Sequence, residues 1–467
     1  MAGTMHALEP IWRAAGFSSN ALQHLGLTGN EPVLPSSFAV GTAAQTTLAA
    51  AALAATEVGH HRNGVRQQVA IDMRHAALEC CSHFLIDGVA PNSWDKLAGL
   101  YACRPDAASG WVRLHTNFAH HRDGVLRLLK LAEGPATERA TVAEALRGWD
   151  ALAFEQAATD AGLVVAALRS FQEWDAHPQS QAIAAQPLVA IERIGDAPPL
   201  AWPNLPLTSG PLSGLRVLEL TRILAGPFCG RTLAAYGADV MLVNAPHLPN
   251  IEAIADTSRG KLSAFADLRT AADADALRGV LREAHVFVQG YRPGALAVLG
   301  FAPEAVAQTR PGIVMVSLSA YGETGPWAGK RGFDSLVQTA TGFNHAEAQA
   351  ASDATPRALP TQILDIASGA LMALGAQAAL LRQQREGGSW HVRVSLARTG
   401  LWLRALGRVA NGFDAPPADF SGVMETVASG WGALSAVRPA AQFSHTPAGY
   451  RRPSMPPGSH ALAWPAR

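Results

Sequence analysis

Between residues 212 and 396, short apolar runs alternate with stretches whose apolar positions recur every three to four residues. Leu212–Leu220 reads as a buried strand, and Ala225-Gly226-Pro227 then opens a helix through Arg231–Tyr236, with proline suited to a first turn. Gly237 stops that helix. Asp239–Val243, His285–Val288 and Ile313–Leu318 read as further strands, with helices over Ala271–Glu283 and Pro303–Thr309 between them. Residues 364–386 predict a long helix rich in small side chains, followed after Gly387-Gly388 by an alternating strand, His391–Leu396. Alternating β and α with short links predicts an α/β fold: a Rossmann-like, doubly wound parallel sheet.

The N-terminal third carries a degenerate copy of that ending. Leu34-Pro35 aligns with Leu359-Pro360, an Ala-rich helix follows in both, and Val69–Met73 aligns with Val392–Leu396. In this alignment Val40 stands opposite Asp365. Residues 83–195 predict a smaller α+β unit, with a strand at Trp111–His115 and helices near 124–132, 140–147 and 151–161. From about residue 440 the chain is rich in Pro, Ser and Arg, which predicts an extended or mobile tail. The resulting division is 1–82 (the degenerate copy), 83–205 (small α+β domain and return segment), 211–405 (Rossmann-like domain) and 406–467 (tail).

Composition narrows the functional classes. In 467 residues, Lys+Arg and Asp+Glu are equal at 37 each, so no global field draws the chain to nucleic acid or anionic membrane. The first residues lack the basic and apolar regions of a signal peptide, and the Ala-rich segment 43–55 is too short to span a bilayer. Four cysteines (Cys80, Cys81, Cys103, Cys229) without CxxC spacing fit a reducing, cytoplasmic setting. The adjacent pairs His60-His61 and His120-His121 cannot both face one metal from a helix and read as loop or surface histidines, so no metal is expected. Without GxGxxG, no dinucleotide cofactor is expected either.

Asp365, at the mouth of the 364–386 helix, is the candidate for chemistry. A carboxylate there can accept backbone N–H bonds, stay ionised at neutral pH and attack an activated acyl group; it can also be an ordinary helix cap.

Six collinear stretches resemble the family III CoA-transferases, the CaiB/BaiF group that includes the α-methylacyl-CoA racemases. They are PLSGLRVLELTRILAGPF (211–228), YGADVMLV (236–243), SRGKLSAFADL (258–268), YRPGALAVLGF (291–301), VMVSLSAYGETGPWAGKRGFD (314–334) and LDIASGALMALGAQAALL (364–381). The order of segments is rearranged relative to the family, whose members are interlinked homodimers. The resemblance therefore implies a homodimer or an intramolecular pseudo-dimer.

The resemblance further implies an acyl-CoA:carboxylate CoA-transferase with Asp365 as nucleophile. Acyl-CoA and a carboxylic acid would be its substrates, with coenzyme A exchanged rather than permanently bound. Arg222, Ala225, Gly226 and Pro227 would cradle CoA at a helix N-terminus, Arg259 and Lys261 would meet its phosphates, and Arg292 and Arg331 would be further basic contacts to CoA. Three departures stand at CoA-contact positions of relatives: Asn244-Ala245, Gly290 before Tyr291-Arg292, and Val298. In the racemase branch a histidine pairs with the aspartate as second base, and here that position is Phe333, with His345 nearby in sequence. Racemisation or isomerisation of an acyl-CoA, and a non-catalytic acyl-CoA-binding role, are the competing readings.

Overall fold

The computed structural model describes residues 2–104 and 110–466. Its centre is a seven-stranded sheet in the order Lys261–Phe265, Asp239–Asn244, Arg216–Leu220, Val286–Gln289, Val314–Ser319, Ser389–Ser395 and Ala190–Gly195. Six strands are parallel, and the last, from the return segment, pairs antiparallel with Ser389–Ser395. Arg216–Leu220 is buried at every residue, as a strand covered on both faces must be, and its two charges are paired, Arg216 with Glu283 and Glu219 with Lys261. The strand order reverses between Arg216–Leu220 and Val286–Gln289, so a crevice opens at their carboxyl ends.

The helix Ile363–Glu386 is the hub. It packs on the sheet, on the helix Ala225–Ala235 and on the Ala-rich helix Val40–Asn63. Small side chains allow this closeness: a Cβ at Gly369 would lie 2.4 Å from the Ala225 carbonyl oxygen. By length and composition this helix could span a bilayer, yet its apolar window lies wholly inside the fold.

Its partner Val40–Asn63 also has 24 residues, and the two start alike, with Ala39 at φ −77°, ψ 61° and Gln362 at φ −79°, ψ 58°. An offset of 323 residues (363 less 40) carries one helix onto the other. The same offset carries strand Val69–Asp72 into Ser389–Ser395, and the helix cap Asp72, accepting from the His75 N–H, onto Ser395, accepting from the Arg398 N–H. In that register Thr42, and not Val40, stands opposite Asp365. The sequence alignment anchors on Leu-Pro, and the chain between Leu-Pro and the helix is two residues longer in the N-terminal copy.

The small unit has a three-stranded antiparallel sheet, Gly99–Ala102, Trp111–Leu114 and Val165–Ala167, covered by helices Ala119–Leu128, Arg139–Leu146 and Ala151–Asp160. Beyond residue 405 the chain differs from a simple tail. Met424–Ser429 and Gly432–Val437 form a hairpin that adds to Phe84–Ile86. The last stretch is extended, as its composition predicts, but fastened. Tyr450 lies under Arg259, the Ser454 hydroxyl is 2.8 Å from that of Ser258, His460 pairs with both backbone groups of Ser263, and the Trp464 indole N–H donates to Val280.

Candidate active site

At the crevice where the strand order reverses lies a cavity of about 320 Å³, within the usual range for a small-molecule site. Loops following four parallel strands build it: Arg222–Ala225, Gly290–Ala295, Leu318–Ala320 and Leu396. The small unit closes it with Phe118, His120, His121 and Val164, and the segment Lys330–Phe333 forms a further wall. Asp365 lines it from the first turn of the hub helix.

The setting of Asp365 differs from the sequence expectation. Its side chain does not take the free N–H groups of the helix start. Asp334 does, with Oδ2 accepting from the Asp365 N–H at 2.8 Å and the Leu364 N–H also contributing, while the Gln338 amide holds Oδ1. The Asp365 carboxyl is left 7% exposed with a second carboxylate beside it. Burial first, and then the charge of Asp334, push its proton affinity well above the ordinary aspartate range. Asp334 itself is raised to about 6 by burial, against the lowering effect of its hydrogen bonds.

The loop Thr221–Leu224 carries backbone strain. Ile223 sits at φ +75°, a left-handed conformation that a β-branched residue adopts only at a cost of about 1–3 kcal/mol. It leads straight into the helix Ala225–Ala235, whose first N–H groups, those of Ala225 and Gly226, have no intrahelical acceptor. Gly226 is required for this turn, because a Cβ there would lie 2.6 Å from Thr221.

Of the basic residues expected at a CoA site, Arg222, Arg292 and Arg331 line the cavity. Arg259 and Lys261 do not. The Lys261 ammonium is fully buried, 2.7 Å from Glu219 and donating to the Pro227 carbonyl at 2.8 Å. The pair pins the helix Ala225–Ala235 to the strand Arg216–Leu220. Arg259 bonds Asp256 at 2.6 Å and Glu425 at 3.1 Å, and the same Asp256 also holds Arg231. These charges hold segments together: Arg231 continues to Glu79 in the N-terminal copy, and Glu425 belongs to the C-terminal hairpin. Pro227 lies behind the cavity wall, inside the buried helix.

The histidines are the second correction. His120 and His121 line the cavity, and His121 is 4% exposed. Burial and the surrounding histidines and arginines push His121 down to about 3, so its ring is neutral. His115 is similarly depressed to about 3 and stacks on Phe333, with ring centroids 4.0 Å apart. Phe333 thus presents an aromatic wall where a second base would be needed. The role of 118–121 was hidden because nothing in its local pattern records that the small unit folds over a crevice more than a hundred residues ahead. His345 lies away from Asp365, at a separate surface cleft lined by Trp111, Ser170 and Asp353.

Residues 212–412 match the family model of CoA-transferase family III. The chain belongs to that family. Among fellow family III relatives, an acyl-CoA transferase of Gibberella moniliformis is 30% identical over 377 residues, which are 72% of this chain and 66% of that protein. The succinate–glutarate CoA-transferase of Agrobacterium fabrum is 33% identical over 213 residues, 41% of this chain and 52% of that protein. A solved CaiB/BaiF family structure from Brucella suis is 27% identical, covering 48% of this chain and 65% of that one, with a TM-score of 0.38. The chain thus spans between half and two thirds of the length of these family III relatives.

Proposed function

We propose that this protein is an acyl-CoA:carboxylate CoA-transferase whose nucleophile is Asp365. The observation that carries this reading is a single buried carboxyl group facing a cation-lined cavity beside an uncapped helix N-terminus. An Asp365 oxygen attacks the thioester carbon; the C–S bond breaks, giving an aspartyl mixed anhydride and CoA thiolate. The thiolate attacks the aspartyl carbonyl and expels the donor acid as its carboxylate, leaving an aspartyl-CoA thioester. The acceptor carboxylate attacks that thioester to give a second anhydride, and the thiolate takes the acceptor acyl group, restoring Asp365. Each step moves an electron pair between acyl oxygen and sulfur, and no redox change occurs.

The N–H groups of Ala225 and Gly226 would receive the oxyanion of each tetrahedral intermediate, assisted by the positive end of their helix. Burial that raises the proton affinity of Asp365 also makes the ionised carboxylate more basic and so a better nucleophile. In this reading 211–405 supplies the nucleophile and 83–205 the outer wall of the site. Residues 1–82 fill, within the one chain, the place of part of a second subunit.

The test is intact-protein mass after incubation with a panel of acyl-CoAs, followed by hydroxylamine. Wild type should gain a hydroxylamine-sensitive mass that maps to the peptide holding Asp365, and Asp365→Asn should gain none. CoA binding without any adduct would favour the non-catalytic reading. Deuterium entering the acyl α-carbon in heavy water would favour racemisation, which Phe333 deprives of its second base.

A further inference from the structure

Three buried nitrogens in the cavity wall, Nε of Arg331, Nε of Arg222 and Nδ1 of His121, have no hydrogen-bond partner among the described residues. Arg331 Nη1 lies 3.4 Å from His121 Nε2. A guanidinium can only donate, so Nε2 must accept, and a neutral imidazole then carries its proton on Nδ1. All three orphaned atoms are therefore donors. Leaving buried donors unmet is costly, which makes their persistence at a cavity wall informative.

The charges around them point the same way. Arg292 lies close enough to disfavour the charge on Arg331, and Arg222 rests over the Phe118 ring. Among the described residues, none of these three arginines has an ion-pair partner. Their chain neighbour Lys330, by contrast, is neutralised by Glu155 at 2.9 Å. A donor-only, cationic wall calls for a ligand with anionic acceptor oxygens.

A phosphate of CoA and a carboxylate of the exchanged acid both have that chemistry. Chain geometry separates them. Asp334 touches the Asp365 N–H, and Arg331 is three residues before it, a reach of at most ~10 Å along the backbone. In a CoA whose sulfur is at Asp365, the phosphates lie beyond the full length of the pantetheine arm. The acid itself lies near the nucleophile.

We infer that Arg331 and His121 receive a second carboxylate on the exchanged acid, so that the enzyme selects dicarboxylic over monocarboxylic substrates. The inference rests on Asp365 being the reacting centre.

The experiment compares glutarate with valerate, equal in carbon number, in the full-length protein. Wild type should favour glutarate in kcat/KM by roughly tenfold to hundredfold, the size of one charge-assisted contact. In Arg331→Met the ratio should fall close to one, and in Arg331→Lys, which keeps the charge and loses the fork, it should be intermediate. An unchanged ratio with a raised KM for acyl-CoA, absent with 3′-dephospho-CoA, would assign Arg331 to CoA phosphate and overturn the inference. Calorimetric titration of the unreacted protein with each acid tests the receiver apart from catalysis. Arg331-dependent glutarate binding without any Asp365 adduct would uphold the receiver and sink the transferase reading. An adduct with equal binding of both acids would do the reverse.

Discussion

The starts of the two 24-residue helices make a natural comparison. At each, a carboxylate from upstream in the chain accepts the N–H of the third helical residue: half-buried Glu31, in a loop, from Thr42 at 2.7 Å, and buried Asp334, at the start of the helix Asp334–Ala340, from Asp365 at 2.8 Å. Each carboxylate also meets the residue before, Gly41 or Leu364, and burial raises the proton affinity of both. The difference is the side chain that the cap supports. Thr42 adds a neutral hydroxyl, whereas Asp365 adds a second acid to a place that already holds one. Capping explains the first carboxylate at each site and leaves the second without a structural reason. An acid kept beside another acid, at a cost in stability, fits the nucleophilic role proposed for Asp365.

Breaking the comparison at Asp365 should have the largest effect. Asp365→Asn should lower transfer by roughly 10⁴-fold or more, as loss of a nucleophile does, read from initial rates of acyl-CoA formation. The same variant should melt higher than wild type at pH 8. The folded-state pKa of Asp365 lies above its unfolded value, so its favourable protonated state is lost as pH rises through the folded value. The stabilisation by Asn should therefore vanish below about pH 4, where both states are protonated.

Recreating the acid pair in the other copy comes next. Thr42→Asp would place an unpaired charge beside Glu31 in a site only 8% exposed. It should destabilise the fold by about 3 kcal/mol or more, measured by denaturant unfolding, and add no transferase activity.

Asp334→Asn sharpens the comparison more gently. Asparagine keeps an acceptor for the Asp365 N–H but removes the neighbouring charge. The acid limb of the kcat/KM profile should move about one pH unit lower, the lesser end of the effect of a close like charge. A limb that stays in place would mean that Asp365 does not control it.

Glu31→Gln should do least. Activity should stay within about twofold, and melting at pH 8 should be unchanged or slightly higher, because the raised proton affinity of Glu31 opposes stability only as pH climbs.

Most of the central sheet was legible from the sequence because its strands and helices are decided by local periodicity. Pro303–Thr309 has the predicted boundaries, and the hub helix differs by one residue. The hairpin Met424–Val437 was missed, although the alternation on either side of Gly430-Trp431 signals it. Site chemistry was legible only where a motif carried it. Asp365 and Arg331 stand in such motifs, but whether a cation faces a cavity or an internal acid depends on distant partners. Lys261 meets Glu219 and Arg259 meets Glu425 across separations that no local pattern records. For the same reason Asp334 read as the end of a motif, although its charge stands beside Asp365.

The fastened C-terminal stretch has a consequence for how the molecule is made. Lys261–Phe265 is an outer strand of the large sheet, and His460 meets the backbone of its middle residue. Nearly everything that stretch clasps is synthesised before it. At 5–20 residues per second, the nascent chain holds an open sheet edge for roughly ten seconds or more. That interval is when an unpaired strand invites a neighbour, and molecules shortened before His460 should enter inclusion bodies more readily than the full chain.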